Sequence, residues 1–189
     1  MNNLEAQTQK VSSDANLMEY ALNIIAKKRY TSKQMEKKLK EYPVRKAKLV
    51  AARTGEEVKL PTKEDIETAA KNVLNRLIEL NYINDEKYVS DFFEYSAKAR
   101  KKGVLINKRD LKIKGIEAGL IDEYLAKNGT NELEAATEVL EKKSHQWIKY
   151  PPVEQKSKAF RFLAGRGFAI DVIYNVVETW YNRFSEVEL

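Results

Sequence analysis

Residues 103–125 read GVLINKRDLKIKGIEAGLIDEYL, and RFLAGRGFAIDVIYNVV at 161–177 echoes them. In each stretch a basic residue and a glycine, Lys114-Gly115 or Arg166-Gly167, precede an apolar residue, Ile116 or Phe168. Apolar residues then recur five, six, nine and ten positions after the glycine: Leu120, Ile121, Tyr124 and Leu125 in one copy, Val172, Ile173, Val176 and Val177 in the other. That spacing lines one side of a helix. The glycine falls where the preceding helix must stop and turn, a position that favours a residue tolerating positive φ. The chain therefore reads as a repeated helical unit with a period of roughly 50 residues.

Working outward, residues 1–13 are polar and aperiodic and are expected to form a mobile tail. A first helix starts near Asp14, with Leu17, Ala21, Ile24 and Ile25 on one face. Thr31 and Gln34 make a capping box for a second, with Met35 and Leu39 inward. Tyr42-Pro43 is expected to end it, and PVRKAKLVAARTGEEVKLP at 43–61 reads as an insertion in which Thr54-Gly55 turns a short β-hairpin. AKLVAAR is also a good helix former, so the helical alternative stays open. Thr62 and Asp65 cap a third helix with the stripe Ile66, Ala69, Ala70, Val73, Leu77 and Leu80.

A second unit follows from Asn84 or Asp85. Tyr88, Phe92, Tyr95 and Ala99 share a face, Gly103 stops the helix, and Asn107 opens the next, with Leu111 inward. A third unit starts at Asn131 with Leu133, Ala136, Leu140 and Trp147 spaced for burial, and Pro151-Pro152 breaks it before a helix holding Val153, Phe160 and Leu163. The expected fold is all-α: three tandem three-helix repeats over 14–83 (insertion 43–61), 84–129 and 130–189.

At 189 residues the chain is long enough to bury roughly 70% of its unfolded surface without metal or disulfide. The absence of cysteine excludes thiolate sites and accords with a reducing cytoplasm. No apolar run approaches the roughly 20 residues of a membrane span, and the polar start lacks a signal-peptide core; a soluble, cytoplasmic monomer is expected. With His145 the single histidine, histidine-based nucleophile systems and multi-histidine metal sites are ruled out or crippled. Neither a Walker-type loop nor GxGxxG occurs, so no enzyme, metal or cofactor is expected.

The remaining signal is cationic. Residues 27–48 carry ten Lys/Arg against Glu36 and Glu41, and residues 98–114 carry eight against Asp110, although the whole chain is only +6. Two basic blocks on an otherwise acidic body point to a polyanion-binding face. Lys108, Arg109 and Lys112 fall within roughly 100° of helical arc. With no base-reading motif, the expected contacts are to phosphate, salt-sensitive and indifferent to base sequence.

Four segments together resemble the RecX regulatory proteins: RYTSKQMEKKL at 29–39, LIELNYINDEKYVSDFF at 77–93, G-x7-L-x2-KGI from Gly103 to Ile116, and RFLAGRGF at 161–168. They span all three units in the family's order. The resemblance implies three three-helix repeats in an elongated, curved molecule without enzymatic activity. It implies binding to RecA and to its filament on single-stranded DNA, with restraint of strand exchange, ATP turnover and co-protease action in DNA repair, recombination and the SOS response. By position it assigns Arg100, Lys101, Lys102, Lys108, Arg109, Lys112 and Lys114 to the filament- and DNA-facing surface, with Lys27, Lys28, Arg29, Lys33 and Lys37 as a second set. Asn81 stands where the family commonly has glycine, and Asn107 where an apolar residue usually precedes Leu111 by four. The alternative reading is a general nucleic-acid-binding helical repeat module not specific for RecA.

Overall fold

The structure, a computed structural model, describes residues 13–55 and 61–185. The expected tail at 1–13 lies, apart from Ser13, outside the described residues. Among those residues there are nine α-helices, one π-helical turn and no strand. No described helix is long and apolar enough to cross a membrane.

The chain divides into two compact units. The first comprises residues up to Tyr88 together with Lys114–Ile116, and the second comprises Val89–Ile113 and the residues from Glu117 onward. Three helices build the first: α1 (Asp14–Ile25), α2 (Ser32–Thr54) and α3 (Lys63–Glu79). Their starts follow the expected caps. The Thr31 and Gln34 side chains each accept the other residue's backbone N–H, at 3.2 and 3.4 Å, and Thr62 Oγ1 accepts the Asp65 N–H at 3.1 Å. Leu17 and Ala21, Met35 and Leu39, and Ala69, Ala70, Val73 and Leu77 then close one core, with Ile83 beneath. Tyr20 and Tyr42 stack at 4.0 Å beside it. Leu80, expected in the stripe, is exposed.

The segment expected to leave the helical period does not. α2 runs through Pro43 to Thr54, so residues 43–54 form no hairpin arm and no insertion interrupts the helix; residues 56–60 of the expected second arm lie outside the described residues. A proline inside a helix removes one backbone bond and costs about 3 kcal/mol in the open. Here Pro43 continues the buried four-residue spacing of Met35, Leu39 and Ala47. Its ring adds to the core, and AKLVAAR after it is a strong helix former, which together offset the missing bond. Gly55, expected at a hairpin turn, ends α2 instead.

α4 (Asp85–Tyr95) begins in the first unit and continues into the second. A π-helical turn, Ser96–Arg100, follows it, then α5 (Val104–Ile113) and α6 (Ala118–Asn128). α7 (Glu132–Ser144), α8 (Pro152–Gly165) and α9 (Ile170–Ser185) complete the chain. α9 packs on both α7 and α8 around Leu140, Trp147, Leu163, Phe168, Ile173, Val176, Val177 and Trp180. Leu133 and Val153, expected inward, are exposed. Tyr95 and Ala99, expected to share a face with Tyr88 and Phe92, are both exposed, and after the π turn Lys101 rather than Gly103 takes positive φ, at 48°.

Candidate nucleic-acid interface

Two joints of the same design position most of the expected cations. In the first unit the start of α2 meets the turn after α5. Thr31 Oγ1 donates to the Lys114 carbonyl at 2.6 Å, the Ser32 N–H donates to Asp85 Oδ1 at 2.8 Å, and the Ser32 hydroxyl also meets the Asp85 carboxylate. In the second unit the start of α5 meets the turn after α8. The Gly103 N–H donates to the Arg166 carbonyl at 2.9 Å, Leu105 N–H to the Gly167 carbonyl at 3.0 Å, and Val104 N–H to Glu132 Oε1 at 2.6 Å. Each joint thus sets a helix N-terminus between a carbonyl preceding a glycine and a carboxylate opening another helix, where the orphan N–H groups and the dipole favour negative charge.

The glycines are required by space as well as by φ. Gly115 and Gly167 have φ of 86° and 78°. A Cβ on Gly115 would stand 2.4 Å from Lys33 Cβ, and one on Gly167 2.5 Å from an Ile106 side-chain carbon. Gly103 is tighter still, since its Cβ would lie 2.1 Å from the Gly167 carbonyl oxygen. The first joint brings Lys33, from one basic block, against the Lys114-Gly115 turn of the other. That proximity is not visible in the linear order. The Lys114 ammonium lies 6.0 Å from the Tyr88 ring.

In the second unit most of the expected cations are matched by carboxylates. Lys101 pairs with Glu138, Lys102 with Asp110 at 3.1 Å, Lys108 with Asp122 at 2.7 Å and Arg109 with Asp110 at 3.8 Å. The Lys108 hydrogen bond holds the Asp122 carboxyl below its usual range. Lys112 is exposed and forms no ion pair among the described residues. Arg100 ends the π turn. Beneath this segment a buried polar pair replaces apolar packing. Ser96 donates to Asn107 Oδ1 at 2.8 Å, and Asn107 Nδ2 donates to the Lys102 carbonyl at 3.1 Å. Asn107 therefore lies inside α5 and fixes the basic turn, rather than opening the helix.

In the first unit Lys27, Lys28 and Arg29 are exposed beyond α1. Lys28 sits 5.4 Å from the Tyr30 ring, and Lys27 forms no ion pair among the described residues. Lys33 pairs with Glu36 at 3.1 Å and Lys37 reaches Glu41 at 3.9 Å. Hydrogen bonds from Lys40 and Lys33 hold Glu36 below the usual carboxylate range. Such exposed pairs contribute little stability, about 0.2–1 kcal/mol at best, so an incoming polyanion can exchange them at small cost.

Sequence reasoning missed the carboxylates that hold the joints. Burial pushes Glu132 up from the ordinary value of 4.5, against the lowering effect of the N–H groups of Val104 and Ala169. Asp85 and Glu132 each open a helix, which reads as ordinary dipole stabilisation. Their partners, Ser32 and Val104, lie 53 and 28 residues away. The one signal available was that both occupy the same place in the expected repeats.

The profile for "RecX, third three-helix domain" matches residues 130–177, which hold α7, α8 and half of α9. The chain is 33% identical over 129 residues to the regulatory protein RecX of Neisseria meningitidis serogroup C, covering 67% of this chain and 80% of that one. To the regulatory protein RecX of Actinobacillus pleuropneumoniae serotype 5b it is 28% identical over 166 residues, covering 86% and 91%. The crystal structure of RecX from Lactobacillus salivarius superposes with a TM-score of 0.69 at 21% identity, over 88% of this chain and 95% of that one. Fold and site define an all-helical scaffold presenting cations at helix ends and turns. This chain belongs to the family of RecX regulatory proteins. Membership implies regulation of the RecA recombinase in general.

Proposed function

We propose that the chain binds RecA and its filament on single-stranded DNA by charge and shape and restrains the filament's activities without chemistry of its own. The helices would group in threes over 14–83, 84–129 and 130–189, the two joints being the links between successive groups. Lys27, Lys28, Arg29, Lys33, Lys37, Arg100, Lys101, Lys102, Lys108, Arg109, Lys112 and Lys114 would make the filament-facing surface, with the protein acting as a cytoplasmic monomer. The supporting observation is that, on a scaffold of this family, exposed Lys27, Lys28 and Lys112 form no ion pair among the described residues while their neighbours hold exchangeable surface pairs. The mechanism is mass action: a ligand preferring one filament state shifts the population toward it.

The test is RecA's ATP turnover on single-stranded DNA with substoichiometric amounts of this protein at two salt concentrations. A salt-sensitive fall, weakened in a Lys108→Glu/Arg109→Glu/Lys112→Glu variant of unchanged circular dichroism, is expected. No change at any ratio, with DNA binding intact, would overturn the RecA reading and leave a general nucleic-acid module.

A further inference from the structure

Residues 142–161 carry Lys142, Lys143, Lys149, Lys156, Lys158 and Arg161 against Glu154, a third basic block within the RecX-matched segment. Two of these lysines are satisfied: Lys142 pairs with Glu138 at 2.7 Å and Lys156 with Glu178 at 2.9 Å. Lys149 and Lys158 are placed differently. Between α7 and α8 the chain forms a surface concavity of about 750 Å³, lined by His145, Ile148, Lys149, Tyr150 and Lys158 among others and by no carboxylate. The Lys158 ammonium lies 4.0 Å and the Lys149 ammonium 5.4 Å from the Tyr150 ring centroid. Neither forms an ion pair among the described residues. An aromatic face orders an ammonium group without neutralising it, so both charges stay available to an anion. Gln155 Nε2 donates to the Tyr150 carbonyl at 2.8 Å and ties the start of α8 to this connector.

We propose that this concavity binds the phosphate backbone of single-stranded nucleic acid, with Lys149 and Lys158 as its phosphate-binding groups. The apolar surface beside the cations favours nucleic acid over an acidic protein. Ile148 is 65% exposed and Tyr150 half-buried, which offers unpaired bases an apolar contact indifferent to sequence while the cations hold phosphates. No residue here belongs to the surface assigned above. The inference adds a DNA-binding site to the proposed function and rests only on its DNA-binding half.

The experiment uses the full chain without RecA, titrating a labelled oligothymidylate across a salt series. The Lys149→Gln/Lys158→Gln variant is expected to lower the slope of log affinity against log salt by about 1.4, about 0.7 for each single-strand phosphate that is no longer neutralised. Lys149→Arg/Lys158→Arg should keep the wild-type slope. An unchanged slope in the Gln variant, with wild-type circular dichroism, overturns the proposal. So does a variant that loses affinity for a polyglutamate probe alone, which would make the site a dock for acidic protein. On the unsubstituted chain, where folding is not at issue, oligothymidylate should protect Lys149 and Lys158 from acetylation while exposed Lys63 and Lys71 still react; equal reaction at all four overturns it. Because RecA is absent, failure of the slope change and failure of the ATP-turnover effect are distinguishable.

Discussion

The two helix joints perform one task with different groups. At the first, a side chain does the work: the Thr31 hydroxyl reaches the carbonyl before Gly115, and Asp85, half-buried, caps Ser32. At the second, backbone meets backbone: the Gly103 N–H reaches the carbonyl before Gly167, and Glu132, only 9% exposed, caps Val104. A hydroxyl on a side chain spans a gap and tolerates small movements. Two peptide groups packed together leave no room for a Cβ. The second joint should therefore be the stiffer and the more easily destroyed.

The largest expected effect sharpens that contrast. Gly103→Ala forces a Cβ into the Gly167 peptide and should cost roughly 3 kcal/mol or more, at the upper end of what overpacking costs because the neighbour is backbone. Urea denaturation followed by circular dichroism measures it, and a cost below that of Thr31→Val would break the comparison. Thr31→Val keeps the shape but removes both the helix cap and the bond to Lys114, and should cost about 1–2 kcal/mol by the same assay.

A smaller effect separates the carboxylates. Glu132 has a folded value raised above 4.5, so the folded protein binds that proton more tightly than the unfolded chain does. Its contribution to stability is complete below about 4.5 and is lost as pH rises through the folded value. Glu132→Gln retains an acceptor for the Val104 N–H and removes this dependence. Stability curves of the two proteins should diverge in slope above pH 4.5, and parallel curves would show that the carboxylate is not desolvated. Glu36, Asp122 and Glu123 are lowered and act with the opposite sign, their contributions being lost as pH falls below the ordinary carboxylate values. The smallest effect concerns one surface pair: Lys108→Gln should return the Asp122 carboxyl toward 3.8, read by nuclear magnetic resonance titration, with little change in the midpoint of unfolding.

How legible these features are depends on how far apart their partners lie. The caps at Thr31 and Thr62 and the glycine turns at 115 and 167 are readable because each is decided within a few residues. Asn81 adds a case: it adopts φ of 58° where the resembled family commonly has glycine, a backbone state that asparagine tolerates better than most residues. Pro43 misleads because its local preference opposes a helix, and only its place on the buried side of α2 reverses the outcome. Asn107 reads as a helix start because asparagine favours caps. Its partners, Ser96 and the Lys102 carbonyl, become neighbours only after the π turn forms.

By itself the sequence determined that this chain is helical, where most helices start and stop, which stripes turn inward, and which family it resembles. These follow from spacing, capping and backbone freedom, all of which act over a few residues. The tertiary structure alone decided that α2 passes through a proline, that Asp85 and Glu132 cap helices far from them in sequence, and which lysines form no ion pair among the described residues. Those outcomes depend on burial and on charges meeting across long stretches of chain, and a charge tally along the sequence cannot show which positive groups are already neutralised in the fold.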